Sequence, residues 1–333
     1  MPFKHWEFWP YRWVYLPIIF YYCIQALRFR NPAWFSPVNS NMKYGGLFGY
    51  SKSEMLQSLP SKWVPPYFTI QRKEDFNSVL LKLQNSPFSF PIILKPEIGE
   101  RGIGIEKIND TTELEVFLAH LKQDYIVQEF SSYSEEYGIF CIKQAKSNHF
   151  IISSLTYKEF LKVKGDGFST VQQLLQQEAR AAQYIPKIRV EMLNRIPHKN
   201  EDLLVQAIGN HNRGTLFRDG NHLISEGLIK RMNVLCNEIE GFRYGRFDIK
   251  THSLAHLIEG KDSHIIELNG VASEPTHIYE PNNSWLNGQK ELFRHWKFLV
   301  EITKEQKKLG VKFEPIILTF RDFFAYRRLI KKD

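Results

Sequence analysis

Cysteine is scarce. Cys23, Cys141 and Cys236 lie far apart in 333 residues, with no Cys-x-x-Cys. That fits a reducing compartment and argues against a structural zinc site. Long apolar runs are also missing. The stretch Trp13 to Leu27 (WVYLPIIFYYCIQAL) is apolar for only fifteen residues, short of the roughly 20 a helix needs to span a bilayer. It lacks the small-residue cleavage site expected of a signal peptide, and Glu7 and Pro10 stand where a basic start would be. There is no low-complexity tract, no internal repeat, no arginine-rich block and no nucleic-acid module. Nucleic acid therefore ranks low as a partner, although the net charge is +8.

What remains is a folded composition, 43% hydrophobic and 24% charged, on a chain long enough for two or three packed subdomains. The basic balance favours anionic partners such as nucleotides, phosphates or acidic lipids. Aromatic residues, 14% of the chain, concentrate at the amino end. Flanked by Arg12, Arg28 and Arg30, the run Trp13 to Leu27 suits a helix lying in a membrane plane or a shallow hairpin bent at Pro17. It equally suits an aromatic helix packed on its own domain or on a second subunit of a homodimer. The tail, with Arg321, Arg327, Arg328, Lys331 and Lys332, is either a partner for an anionic leaflet or an ordinary solvated face.

Local signals place the elements. Ser51 and Glu54 form a capping pair for a short helix, and Asp110 with Glu113 opens another. Helical spacing marks Phe76 to Leu83, Ser225 to Glu240, Leu286 to Thr303 and Ile317 to Ile330. Ser169 or Thr170 caps a helix reaching about Ala182. Strands are expected at Phe90 to Leu94, Ile103 to Ile108, Tyr125 to Phe130, Tyr137 to Lys143 and Asn210 to Phe217.

The chemistry concentrates in Tyr244 to Glu274. Arg246 and Asp248 are two residues apart on one apolar run, and Glu267 and Asn269 are two apart on the next. In a strand, residues i and i+2 share a face. Antiparallel neighbours would bring these oxygens together, a donor set that suits Mg²⁺. Arg246 beside them suits an anionic substrate or transition state. A carboxylate at a strand end is more often a solvated edge residue, so an upstream phosphate element has to carry weight.

Such an element is present. The apolar strand ending at Leu94 delivers Lys95, and Gly99, Gly102 and Gly104 follow in a turn between two strands. Glycine lets backbone N–H groups approach phosphate oxygens. A Walker loop or a dinucleotide fingerprint needs a helix next, so a phosphate-covering hairpin remains. Downstream, the backbone at Gln128, Glu129 and Phe130 could pair with adenine, and Glu136 could hold ribose hydroxyls.

This order of parts resembles the ATP-grasp superfamily, in particular the branch of D-alanine–D-alanine ligases, glutathione synthetases and cyanophycin-synthetase-like ligases, over about Pro60 to Pro281. The resemblance implies an α+β fold of two subdomains clasping ATP. Its boundaries are an aromatic amino-terminal segment 1–59, a nucleotide-lid subdomain 60–130, a large subdomain 131–283 with metal and acceptor sites, and carboxy-terminal helices 284–333. It implies ATP binding by Lys95, Gly99, Gly102, Gly104, Gln128, Glu129, Phe130 and Glu136, with Lys158 or Lys162 as a further basic residue. One or two Mg²⁺ ions would sit on Asp248, Glu267 and Asn269, and Arg246 and Lys95 would serve the transfer step. The segment containing His211 and Arg213 looks like an acceptor-pocket lining, and Ser273 and Glu274 fall where the carboxylate substrate binds. The family's amino-terminal α/β domain with its His-Gly motif has no counterpart before Pro60, so alanine is not the expected substrate. The implied activity is ATP-dependent ligation of small-molecule carboxylate and amine (or thiol) through an acylphosphate. The expected location is the cytoplasm, with peripheral contact to the inner face of a membrane left open. The alternative is a non-catalytic nucleotide-binding module at a membrane surface.

Overall fold

The computed structural model describes residues 6–99 and 102–330, without the side chains of Tyr11 and Ile330. Glu100 and Arg101 of the glycine turn, and Lys331 and Lys332 of the tail, lie outside the described residues.

The amino end forms α1 (Tyr11–Phe29). The helix runs through Pro17 without interruption, so the hairpin bent at that residue is not formed. Trp6 reaches further into the protein: its Nε1 donates to the Asn283 carbonyl (2.8 Å) and its ring lies over Gly288, where a Cβ would come within 2.8 Å. The loop after α1 buries Trp34, Phe35, Val38 and Tyr44. A short helix, α2 (Lys52–Gln57), follows, with the Ser51 hydroxyl accepting from the Glu54 N–H as the capping pair requires.

The first sheet takes β1 (Tyr67–Ile70), then after α3 (Phe76–Gln84) β2 (Ile92–Pro96) and β3 (Glu106–Ile108), and after α4 (Thr111–Leu118) β4 (Tyr125–Glu129). The spatial order is β1-β4-β2-β3, antiparallel throughout. Asp75 and Asp110 cap the two helices. Val79, Leu83 and Leu114 from these helices share a core with Ile92, Leu94 and Val127 from the sheet.

The second sheet begins with β5 (Glu135–Lys143) and β6 (Phe150–Glu159). A satellite interrupts it: β7 (Lys162–Lys164), α5 (Val171–Gln176), α6 (Ala179–Ala182), α7 (Val190–Leu193) and β8 (Asp202–Leu204). Thr170 caps α5 through a reciprocal pair with Gln173. The sheet resumes with β9 (Leu216–Asp219), and after α8 (Glu226–Glu238) with β10 (Tyr244–Thr251), and after α9 (Leu254–Glu259) with β11 (Ser263–Asn269). Its order is β11-β10-β5-β6-β9, again antiparallel. The chain ends in α10 (Trp285–Lys308) and α11 (Ile316–Ile330). The α+β character expected from the sequence is the one observed, with two large antiparallel sheets and a two-stranded antiparallel pair of β7 and β8.

Two strand expectations need correction. Only Leu216–Asp219 of the segment from Asn210 is extended. The Asn210 side chain accepts from the Asn212 N–H and Gly214 turns left-handed (φ 98), which winds His211–Arg213 into a 3-10 turn. Likewise, only Glu106–Ile108 of the run from Ile103 pairs in the sheet, because Gly102 and Gly104 hold positive φ just before it.

Alternation decides what the large sheet offers. Ile139, Cys141, Phe247 and Ile249 pack with α8 on one face. Phe140, Ile142 and Tyr244 pack on the other with Trp34, Leu299 and Val300. The polar residues of the same parity as this second set line up on its extension towards the first sheet. Among the described residues no helix is long and apolar enough to cross a membrane.

Candidate active site

Antiparallel pairing of β10 with β11 sets Asp248 opposite Glu267 and Arg246 opposite Asn269. On the other side of β10, Asp248 faces Gly138 and Lys250 faces Glu136. A side chain at Gly138 would crowd Arg246 and Asp248, with its Cβ 3.3 Å from the Arg246 Cδ. The missing side chain keeps that part of the sheet open. β6 adds Lys158 from the next strand over. The result is a band of charged groups on buried strands: Lys158 is 3% exposed, Glu136 1%, Asp248 4% and Lys250 8%.

Buried charge survives only when compensated; Lys158, Glu136 and Asp248 are ion-paired, while Lys250 donates to the Ser131 carbonyl (3.4 Å). Arg246 grips Asp248 with two bonds, Nε to Oδ1 at 2.7 Å and Nη2 to Oδ2 at 3.1 Å. Lys158 lies between two carboxylates, 2.6 Å from Glu136 Oε1 and 3.2 Å from Asp248 Oδ2. Burial opposes ionisation of Asp248, yet Arg246 and Lys158 hold its pKa at about 2. Burial also opposes the Lys158 charge, and Asp248 with Glu136 outweighs it, raising that pKa.

The first sheet supplies the opposite wall. Lys95, on β2, donates to Gln128 Oε1 (2.6 Å) on β4 and to the Ile266 carbonyl (3.0 Å) on β11, so it bridges the two sheets. Burial, chiefly, pulls its pKa down to about 8, with Glu267 acting against the fall. The glycine turn beyond β2 is tied down by Lys52, whose Nζ reaches the Gly99 carbonyl (2.7 Å) and the Pro96 carbonyl (3.2 Å). Glu97 accepts from the Ser53 hydroxyl (2.7 Å) and backbone N–H (3.1 Å), and also from the Ser51 hydroxyl.

Between the walls is a cavity of about 500 Å³, within the usual size of a small-molecule site. Of the residues singled out by sequence, Lys95, Gly99, Gly102, Gln128, Glu129, Phe130, Glu136, Lys158, His211, Arg246, Asp248, Glu267, Asn269, Ser273 and Glu274 line it. Gly104 and Arg213 do not. Gly104 packs on Pro96 and the Tyr125 hydroxyl. Arg213 is drawn away to the Ile105 carbonyl (2.7 Å) and Glu106 (3.4 Å), where it ties the second sheet's loop to β3. Lys162 is exposed on β7, which leaves Lys158 as the central basic residue. The Glu129 N–H is taken by the Pro66 carbonyl (3.0 Å), so this amide is not the donor for a purine.

Sequence reasoning missed several lining residues. Lys250 continues the alternation of Arg246 and Asp248 and was readable there; it stands over the Phe130 and Phe160 rings (5.4 and 5.1 Å). Gly209 has a tight role, since a Cβ would lie 2.5 Å from Glu136 Oε2. The amino-terminal Glu7, Trp9, Val14 and Tyr15 close the far end of the cavity. His211 joins them, its Nε2 2.9 Å from Glu7 Oε2 and its ring 5.7 Å from that of Tyr279. Glu274 stands between: its carbonyl accepts from Arg246 Nη1 (3.2 Å), while its buried Oε2 has no hydrogen-bond partner. Burial pushes its pKa up to about 7, against a smaller opposing pull from Tyr279.

The donor set fits Mg²⁺. Two carboxylates meet in register, and no cluster of three His, Cys, Asp or Glu side chains forms among the described residues, so a zinc-type site is not built here. Asn269 takes part with one adjustment. Its Oδ1 accepts from the Tyr50 hydroxyl (3.0 Å) and its Nδ2 is buried without a partner. Exchanging the two amide atoms keeps a bond to Tyr50, which then accepts, and makes the buried atom an oxygen.

The depressed Lys95 has a measurable consequence. Were Lys95 to hold a polyphosphate, as the sequence reading expects, its pKa would rise again, so between about pH 8 and pH 10 binding would take up a proton and affinity would fall as pH rises. Calorimetry at pH 9 in buffers of different ionisation enthalpy reads that uptake. The expected value approaches one proton for the wild type and near zero for Lys95→Met. Equal, negligible uptake in both would remove Lys95 from the phosphate site.

Solved structures with which the chain aligns include D-alanine–D-alanine ligase from Bacillus anthracis, at 13% identity and a TM-score of 0.42, covering 78% of this chain and 67% of that one. VanG D-Ala:D-Ser ligase from Enterococcus faecalis aligns at 12% identity and 0.44, covering 77% and 61%. A bifunctional glutathione synthetase from Pasteurella multocida aligns at 16% and 0.36, covering 77% and 38%. The chain thus spans between 38% and 67% of the length of these proteins. No protein-family model matches it, and no curated protein does.

Proposed function

We propose that the chain is an ATP-dependent carboxylate–amine ligase that works through an acylphosphate. One observation carries this reading. Lys95, Gly99 and Gly102, from the first sheet and the turn after it, and Arg246, Asp248, Glu267 and Asn269, from the second, line one cavity.

The substrate carboxylate attacks the γ-phosphoryl group of ATP, giving the acylphosphate and ADP. An amine then attacks the acyl carbon, phosphate leaves with the bonding electrons, and the amine loses a proton. The residues position and neutralise, which is most of what phosphoryl transfer asks of a protein. Lys95 and the N–H groups near Gly99 and Gly102 hold the polyphosphate, Lys158 meets the transferred group, and Glu136 takes the ribose. The base lies at the end of β4, against Phe130 and the backbone beyond Glu129. Asp248, Glu267 and Asn269 would hold one or two Mg²⁺ ions, which would supply neutralisation of the phosphate charge. Arg246, anchored on Asp248, stabilises the acylphosphate charge.

An amine acceptor fits the far end better than a thiol. The partnerless carboxylate oxygen of Glu274 is suited to an ammonium group, and His211 and Ser273 complete the polar lining. The reaction draws on ATP, so we assign the chain to the cytoplasm.

ADP release against a panel of carboxylates and amines tests the reading. Release should need one member of each class and rise at least about tenfold over the acceptor-free rate. Nucleotide binding without acceptor-stimulated release would make the chain a nucleotide-binding module instead.

A further inference from the structure

We infer that α1 and α11 together form a docking surface for an anionic lipid bilayer. This goes beyond the ligase reading and does not depend on it.

The inner side of α1 is seated as in any packed helix. Val14 and Ile18 are buried, Gln289 Nε2 donates to the Val14 carbonyl (2.8 Å), and Tyr22 meets Trp296 edge-on (6.2 Å). Its outer side is the anomaly. Trp13, Leu16, Phe20, Ile24 and Leu27 follow at helical intervals of three and four residues, so they form one stripe. They are 42% to 79% exposed. A helix packed on one side of a water-soluble domain carries polar residues on the other. α11 repeats the pattern, with Ile317, Phe320 and Phe324 50% to 82% exposed on one side, while Phe323 and Tyr326 pack on Phe48. The helices meet where α1 ends and α11 begins. There Phe29 contacts Phe313 edge-on (5.9 Å) and Asn31 Nδ2 donates to the Glu314 carbonyl (3.2 Å). Apolar surface on this scale marks an interaction site.

Charge selects the occupant. α1 contains no acidic residue, and Arg12, Arg28 and Arg30 stand exposed at its ends. The one acid on α11, Asp322, is engaged by Lys43 (2.7 Å) and Arg321 (2.9 Å), while Arg321, Arg327 and Arg328 are exposed. Apolar and aromatic stripes flanked by six arginines match an interfacial helix pair on a negatively charged leaflet. A second copy would bring the same six cations against them, which opposes pairing. The helices lie on the bilayer and do not cross it, because each is held to the domain along its other side. The surface is also tied to the catalytic cavity: Val14 and Tyr15 of α1 and Tyr326 of α11 line that cavity.

Flotation of the full chain with phosphatidylcholine vesicles, with and without phosphatidylglycerol, tests the inference. The wild type should float with the anionic vesicles, much less with pure phosphatidylcholine, and less again in high salt. Replacing Trp13, Phe20, Ile317 and Phe324 by Ser should lower vesicle partition at least tenfold without lowering the melting temperature, since all four side chains are exposed. A second variant, Arg28→Gln with Arg30→Gln, Arg327→Gln and Arg328→Gln, should lose the preference for phosphatidylglycerol. Any of three results overturns the inference. In the first, the wild type stays in the soluble fraction with every vesicle. In the second, the Ser variant floats as well as the wild type. In the third, sedimentation reveals a dimer that the Ser substitutions abolish while vesicle binding is absent, which gives the stripes to a second copy.

Discussion

Acceptor-dependent ADP release falls about a thousandfold when Asp248→Asn is combined with Glu267→Gln. The two carboxylates face each other across β10 and β11, so together they are the anionic half of the proposed metal site. The double variant has a complication. With Asp248→Asn the side chain loses the charge-paired two-bond grip of Arg246 and the 3.2 Å ion pair with Lys158, leaving two buried cations with less compensation. Part of the lost activity would then be lost structure. Glu267→Gln alone separates the two. Glu267 is half-buried and makes no ion pair among the described residues, so the variant should melt close to the wild type. It should still lose about a hundredfold in kcat/KM, with excess Mg²⁺ recovering some of it. Retention of more than about a tenth of the activity in Glu267→Gln would rule out a metal-binding role for that carboxylate.

Lys158→Met has the largest expected effect on stability. The ammonium is almost sealed from solvent and lies 2.6 Å from Glu136 and 3.2 Å from Asp248. Arg246 would still neutralise Asp248. Glu136 would be left buried, with one oxygen partnerless already and the other freed. Removing one partner of a buried pair costs about 3–5 kcal/mol. Much of that is the penalty of the charge left behind, so Lys158→Met with Glu136→Gln should be more stable than Lys158→Met alone. Urea unfolding of the two single variants and the double variant completes the cycle. If Lys158→Met lost less than about 1 kcal/mol, the value of an exposed pair, the lysine would not be the electrostatic centre of the sheet.

Those two experiments probe the part of the molecule most legible in sequence, and the reason is locality. Strand alternation is a two-residue rule, so Arg246 with Asp248 and Glu267 with Asn269 could be placed on shared faces without knowing the fold. The pairing register then brought the two faces together. Helix caps are local as well, and Ser51, Asp110 and Thr170 cap as their neighbours imply. What escaped was distant in sequence. Lys52 reaches the Gly99 carbonyl across 47 residues, and Glu7 meets His211 across 204. No periodicity encodes such contacts. The family resemblance implies a pocket role for Arg213, yet its guanidinium reaches back to the Ile105 carbonyl. Lys250 differs, because the alternation already contained it.

The wedge made by Trp6 over Gly288 bears on how the protein is handled at the bench. The residues after it, Glu7, Trp9, Val14 and Tyr15, line the cavity proposed as the active site. A purification handle at the amino end is therefore joined to a segment that shapes that cavity, and its bulk would act on the same segment. Assays on such a fusion would report weakened substrate capture in a protein that is otherwise intact, so the handle is best cleaved before any substrate is sought.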